Sequence, residues 1–268
     1  MQLAQSRKRA LLAINYYNAE TLKGVLLAAS TLNAPVILQL TRSSIEYLGL
    51  DPALQMGRTA LVHYGVKGWI HLDHGDSVDL ARRCLDAGFD SVMIDASEKP
   101  FDDNIRTTAE VVRIAEPYHA NVEAELGYVA KLGQSKKKNG FTRPGEAKRF
   151  TDSTGVDALA IAIGTSHGFY REEPKIDLER LAAIRAAVPV PLVLHGASGV
   201  PSGQLRTAIR EGICKINIAT EVKNTFMKTL KTSLSQTEEI DLRKVFPPAV
   251  EAVRDLVIEK YKTIILQP

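Results

Sequence analysis

Three of the six histidines in this chain stand where an apolar run gives way to glycine-containing sequence. His74 lies in HLDHG (71–75), His167 in GTSHG (164–168), and His195 opens HGASG (195–199). Three neutral imidazoles make a donor set for Zn²⁺ with a position left open for water or substrate. Ligand softness favours zinc over Mg²⁺, although Co²⁺ or Mn²⁺ would also fit. Asp73, the neighbour of His74, is placed to move a proton. Strand alternation sends His71 and Asp73 to one face and Leu72 and His74 to the other. A pleat that relaxes at the strand end would let Asp73 and His74 reach one cleft. Asp95 and Glu125 form a second candidate metal position, or simply orient ligands and balance charge. GASG (196–199) offers backbone N–H groups and a hydroxyl just before a helix, and the 217–220 turn precedes another, which suits an anion.

Elements must bring these residues together. Short aliphatic runs recur at 11–15, 36–40, 68–73, 91–95, 121–126, 158–163, 191–195 and 213–218. Several are almost continuously hydrophobic, as strands buried on both faces are. Helical patterns fall between them at 77–87, 104–115, 178–185, 202–210 and 221–234. Asp76 or Ser77 is the candidate N-cap of the first, and Gly88 its stop. Eight evenly spaced units without a composition shift predict an α/β fold, a closed (β/α)₈ TIM barrel, with residues 1–268 as a single domain. A doubly wound open sheet is the alternative. The barrel demands functional residues at the carboxyl ends of strands. Asn15, Asp73, His74, Asp95, His167, His195, Asn217 and Thr220 meet that demand, and Glu123 and Glu125 lie on the fifth strand. His63 and His119 read as surface or helix residues, and His71 as a supporting residue inside or behind the barrel.

With 268 residues, 45% hydrophobic and 24% charged, the chain can bury a large core, and its net charge of +3 suits a small anionic substrate rather than nucleic acid. No apolar run approaches the roughly 18 residues needed to span a bilayer, and residues 1–10 lack the apolar core of a signal peptide. Cys84 and Cys214 have no metal-ligand spacing and read as buried free thiols. A cytoplasmic protein with no membrane partner is expected.

Taken together, HLDHG (71–75), SVMID (91–95), VEAELG (122–127), AIGTSHG (162–168), LHGASG (194–199) and INIATE (216–221) resemble class II, zinc-dependent ketose-bisphosphate aldolases. The resemblance runs from about Leu11 to Glu259 and leans toward the tagatose-bisphosphate branch, because Ala219 stands where fructose-type members carry aspartate. It implies His74, His167 and His195 as zinc ligands and Asp73 as the acid/base on the C4 hydroxyl. It further implies Gly168, Gly196, Ser198 and Thr220 on the phosphate of dihydroxyacetone phosphate, and Asn15 and Asn217 in the substrate site. A monovalent cation near the phosphate is left open. A homodimer or homotetramer is the implied assembly.

Family members carry a glutamate in a mobile loop after the Glu-Leu-Gly turn, where it exchanges the C3 proton. Here residues 127–140 contain none, and no carboxylate lies between Glu125 and Glu146. Another group such as His71 or a water would then move the proton, the substrate would be a sugar-acid or monophosphate ketose met by Lys131 and Lys136–Lys138, or the protein would bind phosphosugars without turnover. A metal-dependent sugar isomerase or epimerase on the same barrel is a further rival. Thr41, Arg42, Ser43 and Arg243 are candidates for a second phosphate.

Overall fold

The computed structural model describes residues 1–129, 140–168, 170 and 173–264. Eight parallel strands close on themselves in sequence order: β1 (Leu11–Asn15), β2 (Val36–Thr41), β3 (Gly68–Gly75), β4 (Ser91–Ile94), β5 (Asn121–Leu126), β6 (Ala158–Ile161), β7 (Leu192–Leu194) and β8 (Ile213–Ile218), with β8 pairing back onto β1. The closed (β/α)₈ barrel expected from the spacing is the observed fold, and the open sheet is excluded.

Helices cover the outside. They are Ala19–Thr31 after β1, Arg42–Leu48 and Leu50–His63 after β2, Val78–Ala87 after β3, Phe101–Ala115 after β4, and Pro144–Thr154 after β5. Leu178–Ala187, Ser202–Arg210 and Thr220–Leu234 follow β6, β7 and β8, Gln2–Ser6 precedes β1, and Leu242–Val245 and Pro247–Ile264 end the described chain. Ser77, not Asp76, caps Val78–Ala87, since Leu80 N donates to Ser77 Oγ over 3.2 Å while Asp76 pairs with Arg42. Gly88 ends that helix at φ 105°, a left-handed conformation that glycine adopts without a Cβ clash.

Alternation along the strands separates two interiors. Leu12, Ile14, Leu38, Leu40, Leu72, Leu159, Ile161, Leu194, Ile216 and Ile218 pack outward into the helical layer as part of one large buried cluster. A second, small cluster of Met93, Ala158, Ala160 and Val193 fills part of the barrel interior. Buried Gln39, His71, Glu123 and Lys215 share that interior, with Glu123 in register between Met93 and Ala158 and Lys215 beside Val193.

Cys84 and Cys214 are free and fully buried, and burial pushes both thiols up to about 12. Titration of the folded protein with a chromogenic disulfide should therefore detect no fast thiol, and two after unfolding in denaturant. One rapidly reacting thiol in the native state would contradict this packing.

Candidate metal centre and active site

How Asp73 and His74 come to share a cleft is visible in β3. The register between β3 and β4 shifts between Leu72 and Gly75, and His74 takes φ 49°, a left-handed conformation uncommon for a residue with a Cβ. The bulge re-aims two successive side chains that a regular pleat would send to opposite faces. Such a conformation costs about 1–3 kcal/mol and persists where the surroundings over-determine it. Gly75 meets the constraint at the next residue, since a Cβ there would lie 2.5 Å from the Met93 carbonyl oxygen of β4.

His195 follows β7 and His167 lies in the loop after β6. The ring centroids of His74 lie 4.6 Å from His195 and 4.9 Å from His167. Ligand atoms of all three fall within 4.8 Å of one another, and so do those of a second set, His74, Asp95 and Glu125. The two sets share His74. The three histidines and the two carboxylates singled out by their types are thus brought together.

Hydrogen bonds behind the rings decide which nitrogens face inward. His74 Nδ1 lies 2.9 Å from Asp95 Oδ2, and His195 Nε2 lies 2.9 Å from Glu123 Oε1. A carboxylate can only accept, so each places a proton on the nitrogen it faces. The remaining nitrogens, His74 Nε2 and His195 Nδ1, then oppose each other at 2.9 Å. Two lone pairs repel at that distance unless a proton or a cation lies between them. Burial opposes a charge on His74, but Asp73, the Asp95 bond and Glu125 outweigh it, and the imidazole is pushed up to about 9. Burial, with the charges of His74 and Lys215 nearby, holds His195 well below the ordinary histidine range. A protonated His74 donating to a neutral His195 satisfies the pair without metal. A divalent ion replacing that proton would meet three imidazole nitrogens, so the donor set fits one.

Asp73 is 4% exposed. Asn15 Nδ2 donates to its Oδ2 over 2.8 Å and Asn217 Nδ2 to its Oδ1 over 3.2 Å. Burial raises its carboxyl, but the charges of His74 and Lys215 and the Asn15 bond dominate and keep it below the usual carboxylate range. Asp95 is likewise held low despite burial, by the bond and charge of His74 and by Ser97, whose Oγ donates to Oδ1 over 2.7 Å. The carboxylate beside the histidines is ionised and oriented to accept a proton.

A cavity of about 220 Å³ opens over these groups, and Asn15, Asp73, His74, His167, Gly168, Gly196, Ser198, Asn217 and Thr220 all line it. Gly196 has φ 65°, and a Cβ there would lie 2.5 Å from Ser166 O, so the loops after β6 and β7 approach closely only through glycine. Tyr170 ties them further: its OH accepts from Ser166 N (2.8 Å) and donates to Gly196 O (2.6 Å). The helix Thr220–Leu234 starts at the same rim, with the positive end of its dipole toward the cavity.

Several placements differ from expectation. Thr41 and Ser43 line the cavity, whereas Arg42 pairs with Glu46 and Asp76 at the surface. Arg243 pairs with Asp241 and borders a separate groove. His71 does not line the cavity; its Nδ1 lies 2.8 Å from Ser91 Oγ, and burial and the Lys215 charge keep it neutral. That position removes it as the replacement for a loop base. The loop residues Lys131 and Lys136–Lys138 lie outside the described residues. Reasoning from sequence also missed Tyr17 and Lys223, which share the cavity wall with the Lys223 ammonium 5.2 Å from the ring centroid, and the partnership of Glu123 with Lys215. The alternation of β8 carried a signal for Lys215, which shares a face with Asn217.

The family model described as Fructose-bisphosphate aldolase class-II matches residues 1–266. The structure superposes on the YdjI aldolase from Escherichia coli K12 with a TM-score of 0.87 at 33% identity, covering 98% of this chain and 94% of that one. It superposes on a putative fructose-1,6-biphosphate aldolase from Coccidioides immitis with a TM-score of 0.89 at 27% identity, covering 98% and 93%. Fructose-bisphosphate aldolase from Campylobacter jejuni, at 20% identity and a TM-score of 0.81 over 98% and 92%, shares the fold.

Metal removal followed by Co²⁺ titration checks the centre. His167→Ala should abolish stoichiometric uptake, and Asp95→Asn, which loosens His74, should weaken it about 10–100-fold. Native uptake by a folded His167→Ala protein would exclude His167 as a ligand.

Proposed function

The chain belongs to the class II fructose-bisphosphate aldolase family, and from that premise we propose that this lyase reversibly cleaves a phosphorylated ketose to dihydroxyacetone phosphate and an aldehyde, using Zn²⁺ held by His74, His167 and His195. The observation that carries this reading is an ionised, doubly hydrogen-bonded Asp73 beside three converging imidazoles in one cavity. The metal, when bound, acts as a Lewis acid on substrate oxygens and stabilises the charge left when the carbon–carbon bond breaks.

The chain's own residues supply the rest. Asp73 accepts the C4 hydroxyl proton in the cleavage direction and returns it in the condensation direction. Asn15 and Asn217 hold its carboxylate by one oxygen each and keep it from turning onto the metal ligands. Gly168, Gly196, Ser198 and Thr220 take the phosphate, supported by backbone N–H groups and the helix that begins at Thr220. Asp95 and Glu125, which with His74 form the second ligand set, offer an alternative position for the ion.

Ala219 on the cavity wall brings no carboxylate to this rim, which supports a tagatose-type over a fructose-type bisphosphate. The absence of any carboxylate between Glu125 and Glu146 supports a second reading, in which the same machinery cleaves a sugar-acid or monophosphate ketose. A homodimer or homotetramer is the assembly that membership of this family suggests.

A cleavage panel of tagatose and fructose bisphosphates, ketose monophosphates and phosphorylated uronates, with Zn²⁺ restored to the stripped protein, separates the two readings. Asp73→Ala should lower kcat about 10²–10⁴-fold with metal still bound. Full cleavage activity in that variant would sink the mechanism.

A further inference from the structure

Beneath the histidines, inside the barrel, lies a charged pair that the mechanism above does not use. Lys215 Nζ donates to Glu123 Oε2 over 2.7 Å, with the lysine 1% and the glutamate 2% exposed. Gln39, with its amide oriented to satisfy both ends, sets its oxygen 3.2 Å from the same ammonium. Ion pairs this dry are often no more stabilising than apolar residues of the same size. Stability alone therefore gives this one little reason to be here.

Its other contact supplies a reason. His195 Nε2 has two neighbours with opposite requirements. Glu123 Oε1, at 2.9 Å, can only accept and requires a proton on Nε2. Asn217 Nδ2, at 3.1 Å, can only donate and requires Nε2 bare. The first arrangement leaves a lone pair on Nδ1, facing His74 Nε2 at 2.9 Å. The second puts an N–H there and closes the metal position. Glu123 prevails because a negative oxygen against a bare ring nitrogen has no alternative donor from that ring. Asn217 Nδ2, by contrast, has a second acceptor in Asp73 Oδ1 at 3.2 Å.

We propose that Glu123 and Lys215 are positioning residues that select the Nε2–H tautomer of His195 and thereby set how tightly the centre takes metal. Lys215 fixes the carboxylate's orientation. Its presence makes glutamine a poor substitute: in Glu123→Gln the amide oxygen is drawn to Nζ, so the NH₂ group turns toward His195 and inverts the tautomer. Removing the lysine as well frees that amide to turn back. The two substitutions should therefore be non-additive, with the second repairing the first.

The inference rests on the metal-centre reading, but its primary readout needs no metal. Histidine ¹⁵N NMR of the metal-free protein should show His195 as Nε2–H in the native chain, Nδ1–H in Glu123→Gln, and Nε2–H again in Glu123→Gln/Lys215→Met. Co²⁺ affinity should fall about 10–100-fold in the single variant and recover most of that loss in the double. A native tautomer with native Co²⁺ affinity in folded Glu123→Gln would overturn the proposal, and so would equal losses in the single and double variants. If the single variant does not fold, the double variant decides: Nε2–H supports the pair and Nδ1–H overturns it. A native chain that takes up no Co²⁺ would sink the metal-centre reading, while the tautomer comparison would still decide the role of Glu123 and Lys215.

Discussion

Two ring nitrogens, His74 Nε2 and His195 Nδ1, face each other at 2.9 Å, and much of this structure follows from making that approach tolerable. Asp95 stands behind one ring and Glu123 behind the other, so neither imidazole can turn its protonated nitrogen inward without losing a charge-assisted bond. The histidines come from β3 and the end of β7, strands that do not pair with each other. Only closure of the sheet brings them across the barrel mouth. The fold is therefore a condition of the chemistry, because an open sheet would separate the donor set.

Local irregularity does the rest. The bulge after Leu72 and the left-handed His74 allow two adjacent residues to serve one cavity in different roles, the imidazole toward the cluster and the Asp73 carboxylate toward Asn15 and Asn217. That local strain is supported by the same contacts that define the site. Tyr170 and Gly196 perform the corresponding task on the opposite rim, where a hydroxyl and a missing Cβ bring two loops together.

The barrel was legible in the sequence because strands buried on both faces write themselves as short, continuous aliphatic runs at regular spacing. Each of the eight expected runs contains a strand, with ends displaced by at most a few residues. The rim residues were legible for the same reason, since His74, Asp95 and His195 stand at the last apolar position or just beyond it. The helices Ala19–Thr31, Leu50–His63, Pro144–Thr154 and Pro247–Ile264 were not identified from the sequence. What the residues could not show was reach. Arg243 and His71 were reasonable candidates by type, but one points into a different groove and the other is used below the cavity. Lys215 was overlooked because alternation places it on the face of Asn217 without naming its partner. Its meaning comes from Glu123, 92 residues earlier in the chain and 2.7 Å away in space.

Three imidazoles are placed to converge on one ion. X-ray absorption fine structure of the Zn²⁺-loaded protein tests it most directly. Three nitrogens at about 2.0–2.1 Å from the ion, with the multiple scattering of imidazole rings, are expected. A shell made only of oxygens, or one containing a single imidazole, would contradict it.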